Sequence, residues 1–256
     1  MLELGTRLRT PKRAHGKNLS KFPPCFFELT RISTSMPCSV RLEILSVLSD
    51  QAAYRLFRIV FGSVTKADVR QRAGVTHQNA GELLPRALAT VLTTVGSITA
   101  NDIFLDIGCG IGNIVAQGAL QTPIRRCIGV EIRSDLWRLG CQLINRFSNV
   151  QSLLKKVLLL QGDVKDCGLS LRPSFWDAPN VYLNSFLFID DVKILVLREL
   201  CALSRTRIVI STETFCLRHR PSCRNKFCSR WKLYQVSKGP ASWTSKPVCI
   251  YIYKIR

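Results

Sequence analysis

Long apolar runs are missing from this chain of 256 residues. No stretch reaches the ~20 consecutive apolar residues that a bilayer-spanning helix needs. The segment from Met1 to Lys21 is basic, is broken by Pro11 and holds no apolar core, so it does not read as a secretory signal. Internal repeats and low-complexity tracts are absent too. Histidine is rare: His15, His77 and His219 are the full set, and all three read as solvated. Acids are few, with 17 Asp and Glu against 37 Lys and Arg, which leaves a formal net charge of +20. Such a charge strains a folded chain by self-repulsion and points to a polyanionic partner. Nucleic acid, or a particle wrapped in it, is favoured over an acidic membrane surface, because no strongly amphipathic basic helix is visible.

Hydrophobic residues make up 46% of the chain, enough for a sizeable core. The length fits one large α/β domain with an extra arm. Of eleven cysteines, Cys109, Cys127, Cys141 and Cys201 sit inside apolar segments, where a thiol acts as a small hydrophobe. The odd count and the enzyme-like core point to a reducing compartment, cytosol or nucleus.

Three regions follow from patterning. Residues 1–40 carry four prolines among scattered basic residues and read as a basic flexible arm. Residues 41–100 read as a helical part with a covering loop. Leu42, Leu45, Leu48, Ala52, Leu56 and Ile59 recur at helical spacing, 66–81 reads as a loop, and Leu83–Val95 reads as a helix with Pro85 in its first turn. Residues 101–256 alternate between strand and helix. Strands are expected at Ile103–Ile107, Arg126–Glu131, Val157–Gln161, Asn180–Asn184 and Arg207–Ser211, and helices at Gly112–Gln121, Ser134–Phe147 and Asp190–Leu203. This alternation implies a parallel, doubly wound sheet. Two final apolar runs, Trp231–Ser237 and Val248–Ile255, are joined by a Gly-Pro-containing loop and read as an antiparallel hairpin. The sum is a Rossmann-like, seven-stranded, mostly parallel sheet ending in an antiparallel hairpin, which resembles the sheet of class I methyltransferases.

The chemistry concentrates in Phe104-Leu105-Asp106-Ile107-Gly108-Cys109-Gly110-Ile111-Gly112-Asn113. A strand ends in an acid, then a Gly-x-Gly-x-Gly turn enters a helix. Glycine allows the sharp turn and a close approach of backbone to ligand. Asp106 can offset a cationic ligand end, and Glu131, closing the next strand, can grip ribose hydroxyls. A glycine spacing tighter than the dinucleotide fingerprint, with an acid directly before it, favours S-adenosylmethionine over NAD. After the third strand, Asp163 can bond the adenine amino group and Val164 can pack on the ring; the bland alternative is a solvated turn aspartate.

Further segments carry a family resemblance. Asn79-Ala80-Gly81-Glu82-Leu83-Leu84-Pro85 resembles the Tyr-Gly-Glu-Leu-Leu-Pro loop of the disruptor-of-telomeric-silencing (Dot-type) histone lysine methyltransferases, the non-SET enzymes that methylate a lysine in the globular core of histone H3. Val181-Tyr182-Leu183-Asn184-Ser185-Phe186-Leu187-Phe188 is similar to that family's Val-Asn-Asn-Phe-x-Phe run, and Gly239-Pro240-Ala241-Ser242-Trp243-Thr244-Ser245-Lys246-Pro247-Val248 to its Val-Ser-Trp-Thr-x-Lys-Pro-Val segment. The likeness spans roughly residues 75–255, in order. The chain departs from the pattern at Ala80, Ser185 and Ile250.

The resemblance implies a nuclear enzyme acting on the nucleosome, with S-adenosylmethionine as cofactor. Gly81, Glu82, Leu83, Asp106, Gly108, Gly110, Gly112, Asn113, Glu131, Asp163, Val164 and Asn184 would bind the cofactor. Asn184 would also orient the reacting groups, and Phe186, Phe188 and Trp243 would line a lysine channel. Core packing is the plain alternative for the two phenylalanines, hairpin packing for Trp243, and a helix N-terminal acid for Glu82.

Cys216, His219, Cys223 and Cys228 lack a paired Cys-x-x-Cys unit, so no metal centre is expected. Residues 218–232, with Arg218, Arg220, Arg224, Lys226, Arg230 and Lys232, read instead as a basic loop for DNA phosphate or an acidic histone face. Arg7, Arg9, Lys12, Arg13 and Lys17 of the arm could act likewise. Two other readings stay open at this level: a class I RNA or ribosomal-protein methyltransferase, and a non-catalytic chromatin-binding module. Against base chemistry, the fourth strand lacks the Asn/Asp-Pro-Pro-aromatic tetrapeptide of base amino-group methylators.

Overall fold

The computed structural model describes residues 47–70, 81–96, 98–216 and 222–256. The arm at 1–40, Ala80, and the segment holding Arg218, His219 and Arg220 lie outside the described residues.

Helix α1 (Asp50–Phe61) is capped by Ser49, whose hydroxyl accepts from the Ala52 N–H. Its buried residues are Ala53, Val60 and Phe61, while Ile59 of the expected apolar stripe faces outward. Within the expected 66–81 loop a single turn, α2 (Lys66–Val69), is held by a capping box between Thr65 and Asp68. Helix α3 (Pro85–Val95) places its proline at the first helical position, where no N–H is needed.

The core then alternates: β1 (Ile103–Ile107), α4 (Asn113–Gln121), β2 (Arg126–Glu131), α5 (Ser134–Asn145), α6 (Gln151–Lys156), β3 (Val157–Gln161), α7 (Val164–Cys167), α8 (Pro173–Trp176), β4 (Asn180–Leu183), α9 (Asp190–Ala202), β5 (Ile208–Ser211), α10 (Lys226–Arg230), β6 (Trp231–Ala241) and β7 (Thr244–Ile255). The sheet order is β3-β2-β1-β4-β5-β7-β6. The first five strands run parallel, and β7 lies antiparallel to both β5 and β6. This is the expected architecture.

The five parallel strands are largely apolar because both faces of their part of the sheet are covered. Alternation sorts their side chains into two cores. Phe104, Cys127, Tyr182, Ile210 and Ile252 face the layer built with α1, α3, α4 and α5. Leu105, Ile128, Val181, Val209 and Tyr253 face the opposite layer with α8, α9 and Phe227 of α10. Among the described residues, no helix is long and apolar enough to cross a membrane.

The hairpin departs from the sequence reading. Gly239 still pairs with Val248 and Ala241 with Thr244, so the expected loop shrinks to Ser242 and Trp243. Pro240 sits in an irregularity of the ladder between Gly239 and Ala241, where a missing N–H breaks no regular pair. Gly239 is there because α3 packs against it: a Cβ would lie 2.4 Å from that of Ala87.

Candidate active site

Strand order reverses between β1 and β4. Open α/β sheets leave a crevice at such a point, outside the carboxyl ends of the strands. Here it is a cavity of about 430 Å³. It gathers Gly81, Glu82, Asp106, Gly108, Gly110, Asn113, Glu131, Asp163, Val164, Asn184, Phe186, Phe188 and Trp243, residues far apart in the sequence. Two predicted residues lie elsewhere. Leu83 is buried in the core and bridges to Ala241. Gly112 caps α4 from behind the turn, against Leu159.

The glycine turn forms the floor. Gly108, Gly110 and Gly112 have φ of 80°, 57° and 76°, which side-chain-bearing residues rarely adopt. The N–H groups of Gly108 and Cys109 both donate to the Val130 carbonyl, tying the turn to β2. Glu131 completes the tie. Its Oε2 accepts from the Gly110 N–H at 2.7 Å, and its Oε1 from the Arg133 N–H at 2.8 Å.

Three carboxylates meet here. Asp106 is 1% exposed, and its Oδ1 has no hydrogen-bond partner among the described residues. Burial first, then the charges of Glu131 and Glu82, push its carboxyl well above the usual range. Burial also raises Glu131, against the pull of its two backbone donors. Glu82 accepts a hydrogen bond from the Asn113 amide, yet burial pushes it up to about 7. Tyr182, whose buried hydroxyl has no hydrogen-bond partner among the described residues, lines the wall beside them. Buried unpaired acids are costly, so this arrangement suits a ligand that brings positive charge.

At the far side Asp163 caps α7, accepting from the Lys165 N–H at 2.9 Å, while Val164 is buried against the cavity. The turn aspartate is therefore a helix cap that also faces the site.

The mouth is closed by a clasp between distant segments. The Glu82 N–H donates to the Ser242 hydroxyl at 3.0 Å, the Ser242 N–H returns to the Glu82 carbonyl at 2.9 Å, and the Leu84 N–H donates to the Pro240 carbonyl. Trp243 lies so close to Gly81 that a Cβ there would sit 2.8 Å from its ring. Asn184, directly after β4, joins the clasp to the sheet. Its amide donates to the Gly81 carbonyl at 2.6 Å, and its Oδ1 accepts from the Thr212 hydroxyl at 2.5 Å. Ser185 instead turns inward and donates to Glu213, which pairs with Lys193 at 3.1 Å. Phe188 packs over Gly108, whereas Phe186 is 57% exposed at the mouth.

Sequence reading missed Arg133, Tyr182, Thr212 and Ser242. Arg133 alone had a local signal, since it follows the strand-end acid by two residues. The others act through contacts made only in three dimensions.

Residues 62–255 match the family model described as histone methylation protein DOT1. Curated relatives include proteins called histone-lysine N-methyltransferase, H3 lysine-79 specific. That of Dictyostelium discoideum is 29% identical over 170 residues, 61% of this chain and 9% of the relative. That of Drosophila melanogaster is 28% identical over 170 residues, 62% and 9%. The chain thus spans under a tenth of these relatives. Among solved structures, a candidate RNA methyltransferase from Pyrococcus horikoshii superposes with a TM-score of 0.51 at 14% identity, covering 80% of this chain and 98% of that one. At that identity the likeness is one of fold. The family match runs unbroken from the end of α1 through the clasp to β7, and by it the chain belongs to the DOT1 histone methylation protein family.

Proposed function

We propose that this chain transfers a methyl group from S-adenosylmethionine to a lysine in the core domain of histone H3 in the nucleosome, as a nuclear enzyme. Family membership supports the reaction class. The observation that carries the cofactor is the buried Asp106, whose Oδ1 has no hydrogen-bond partner among the described residues, beneath a positive-φ glycine turn with Glu82 and Glu131 beside it. S-adenosylmethionine would bring a sulfonium methyl and an ammonium group to this acidic floor, and the residues present fit it. Asp106 and Glu82 would face its cationic end, Glu131 its ribose, and Asp163 with Val164 its adenine.

The chain's own part is placement. Asn184 is held by two hydrogen bonds, so its amide cannot rotate freely at the mouth. Phe186, Phe188 and Trp243 would wall the lysine path, exclude water and favour the uncharged amine, because a low-dielectric surround lowers a lysine's pKa. Fixing the reactants in this way supplies much of the rate in such transfers.

The division into an arm at 1–40, a covering part at 41–100 and a core at 101–256 belongs to the same reading. Nucleosomal DNA is engaged by the arm and by the basic segment at 218–232, which is not the expected continuous loop, since it holds α10 (Lys226–Arg230) and the start of β6. Within that segment Arg224, Lys226 and Lys232 are exposed. Arg230 is spent internally, donating to the carbonyls of Leu203 and Ser204.

Incubation with radiolabelled cofactor and either nucleosomes, free histones or RNA tests the reading. Label is expected on H3 within nucleosomes, and Asn184→Ala should lower that turnover roughly 100-fold, the cost of misplaced reactants. Label on RNA but not on nucleosomes would sink it, and nucleosome binding without any label would favour a non-catalytic module.

Glu82 adds a pH signature. Its folded pKa lies above the unfolded one, so the ligand-free chain holds the proton more tightly when folded. Stability from this group is present below pH 4.5 and is lost as pH rises through about 7. A cationic ligand favours the carboxylate, so binding near neutral pH should release a proton. Affinity should rise with pH by up to ~tenfold per unit below that value. Calorimetry in buffers of different ionisation enthalpy measures the proton; no buffer dependence counts against the assignment.

A further inference from the structure

Three thiols converge where the chain leaves β5 and enters α10. Cys216, Cys223 and Cys228 hold their sulfur atoms within 4.8 Å of one another. The Cys216 and Cys223 sulfurs are 3.6 Å apart. A disulfide needs about 2.05 Å, so this is no disulfide. Tetrahedral zinc with Zn–S bonds of ~2.3 Å holds its sulfurs ~3.8 Å apart. The Cys216–Cys223 pair is close to that separation, and the third sulfur lies within 4.8 Å of both.

The linear spacing, six residues and then four, shows no Cys-x-x-Cys unit, hence the expectation of no metal centre. Folding supplies the proximity. Phe215, next to Cys216, packs edge-on to Phe227, next to Cys228, at 4.8 Å, and against Tyr253 at 5.6 Å. Asn225 caps α10 by accepting from the Phe227 N–H at 2.8 Å, which fixes where Cys228 points. Both ends of the cluster are thus anchored to the core. Three thiolates brought this close repel one another, and a bound metal cation offsets that repulsion.

We propose that Cys216, Cys223 and Cys228 bind a structural zinc ion as thiolates, with the fourth position left to a ligand these residues do not supply. Three thiolates on Zn²⁺ carry one net negative charge, which the exposed cations Arg224 and Lys226 offset. The ion fastens the β5–α10 connection. That connection also carries Thr212, which holds Asn184, and Glu213, which holds Ser185. Zinc is therefore a positioning element for the mouth of the cavity and takes no part in chemistry there. Soft thiolate donors select zinc over magnesium or calcium.

The full chain, purified under reducing conditions without a metal-affinity step, should carry one zinc per chain by mass spectrometric metal analysis. Cobalt exchanged into it should give thiolate-to-metal charge transfer and tetrahedral ligand-field bands. Cys223→Ser and Cys228→Ser should lose the metal, whereas Cys201→Ser, outside the cluster, should keep it. Metal-free native protein overturns the proposal, as does a Cys216–Cys223 disulfide found by peptide mass mapping. So does zinc that persists at one per chain in the Cys223→Ser, Cys228→Ser double variant. The wild-type metal content decides even if a variant fails to fold.

Discussion

Asp106→Asn is expected to make the ligand-free protein more stable while removing its affinity for S-adenosylmethionine. Both effects come from one carboxylate that is buried, lacks a partner at Oδ1 and is opposed by Glu131 and Glu82. In the ligand-free chain folding forces this buried carboxyl to take up a proton, and the asparagine avoids that cost at nearly constant shape, worth roughly 1 kcal/mol or more of stability near neutral pH. With ligand, the loss of a buried charge pair costs about 3–5 kcal/mol, or roughly 100- to 1,000-fold and beyond in Kd. Glu131→Ala makes the contrast. It also loses the ligand, but it strands the N–H groups of Gly110 and Arg133, so the ligand-free chain should fall in stability by about 2 kcal/mol or more. Calorimetric titration and thermal unfolding without ligand read both quantities. Unchanged affinity in Asp106→Asn refutes the pocket assignment, and a lowered melting point refutes the account of its charge.

Gly140→Val should be among the most damaging single changes in the fold. A Cβ at this position of α5 would stand 2.3 Å from the carbonyl oxygen of Ile111 and 2.8 Å from its carbon. Those are backbone atoms of the glycine turn, so no side chain can swing aside. Overpacking against them costs about 3 kcal/mol or more, a large share of a domain's usual 5–15 kcal/mol. Because Ile111 sits between Gly110 and Gly112, the displaced turn should also bind cofactor poorly. Gly118→Ala in α4 is the control. Its Cβ would meet the Cys127 sulfur at 3.4 Å and the Phe104 ring at 4.0 Å, both ordinary contacts, so the helix-propensity gain should hold stability within about 1 kcal/mol of wild type. Urea unfolding of both variants checks the pair, and equal stabilities would remove the argument.

Much of this was legible in advance. β1, β2 and β3 fall where the sequence reading puts them, because short apolar runs bounded by turn residues leave little freedom in register. Glycine turn, strand-end acids and the Asn184 run were visible for the same reason: their chemistry is local. What was hidden is what depends on distance. The hairpin read as looped around Gly239 and Pro240, since those residues ordinarily break strands; here one admits α3 and the other sits where the ladder is already irregular. Helices α6, α7, α8 and α10 are too short for periodicity to register. Thr212 and Ser242 bond partners 28 and 160 residues away, which no spacing rule reaches. The thiol cluster is hidden likewise, its members set together by aromatic packing.

The clasp between Glu82 and Ser242 also bears on how the molecule comes to be. Its partners are 160 residues apart, so closing it costs loop entropy that local elements never incur. Contacts of such separation slow folding. A chain still emerging from the ribosome can build β1, β2 and the glycine turn well before the β6–β7 hairpin exists. Until that hairpin is made the acidic floor stands open to water, with neither Trp243 nor Ser242 to roof it. The site thus closes only once these two strands have joined the sheet, and a chain that has not yet made them is spared a closed site.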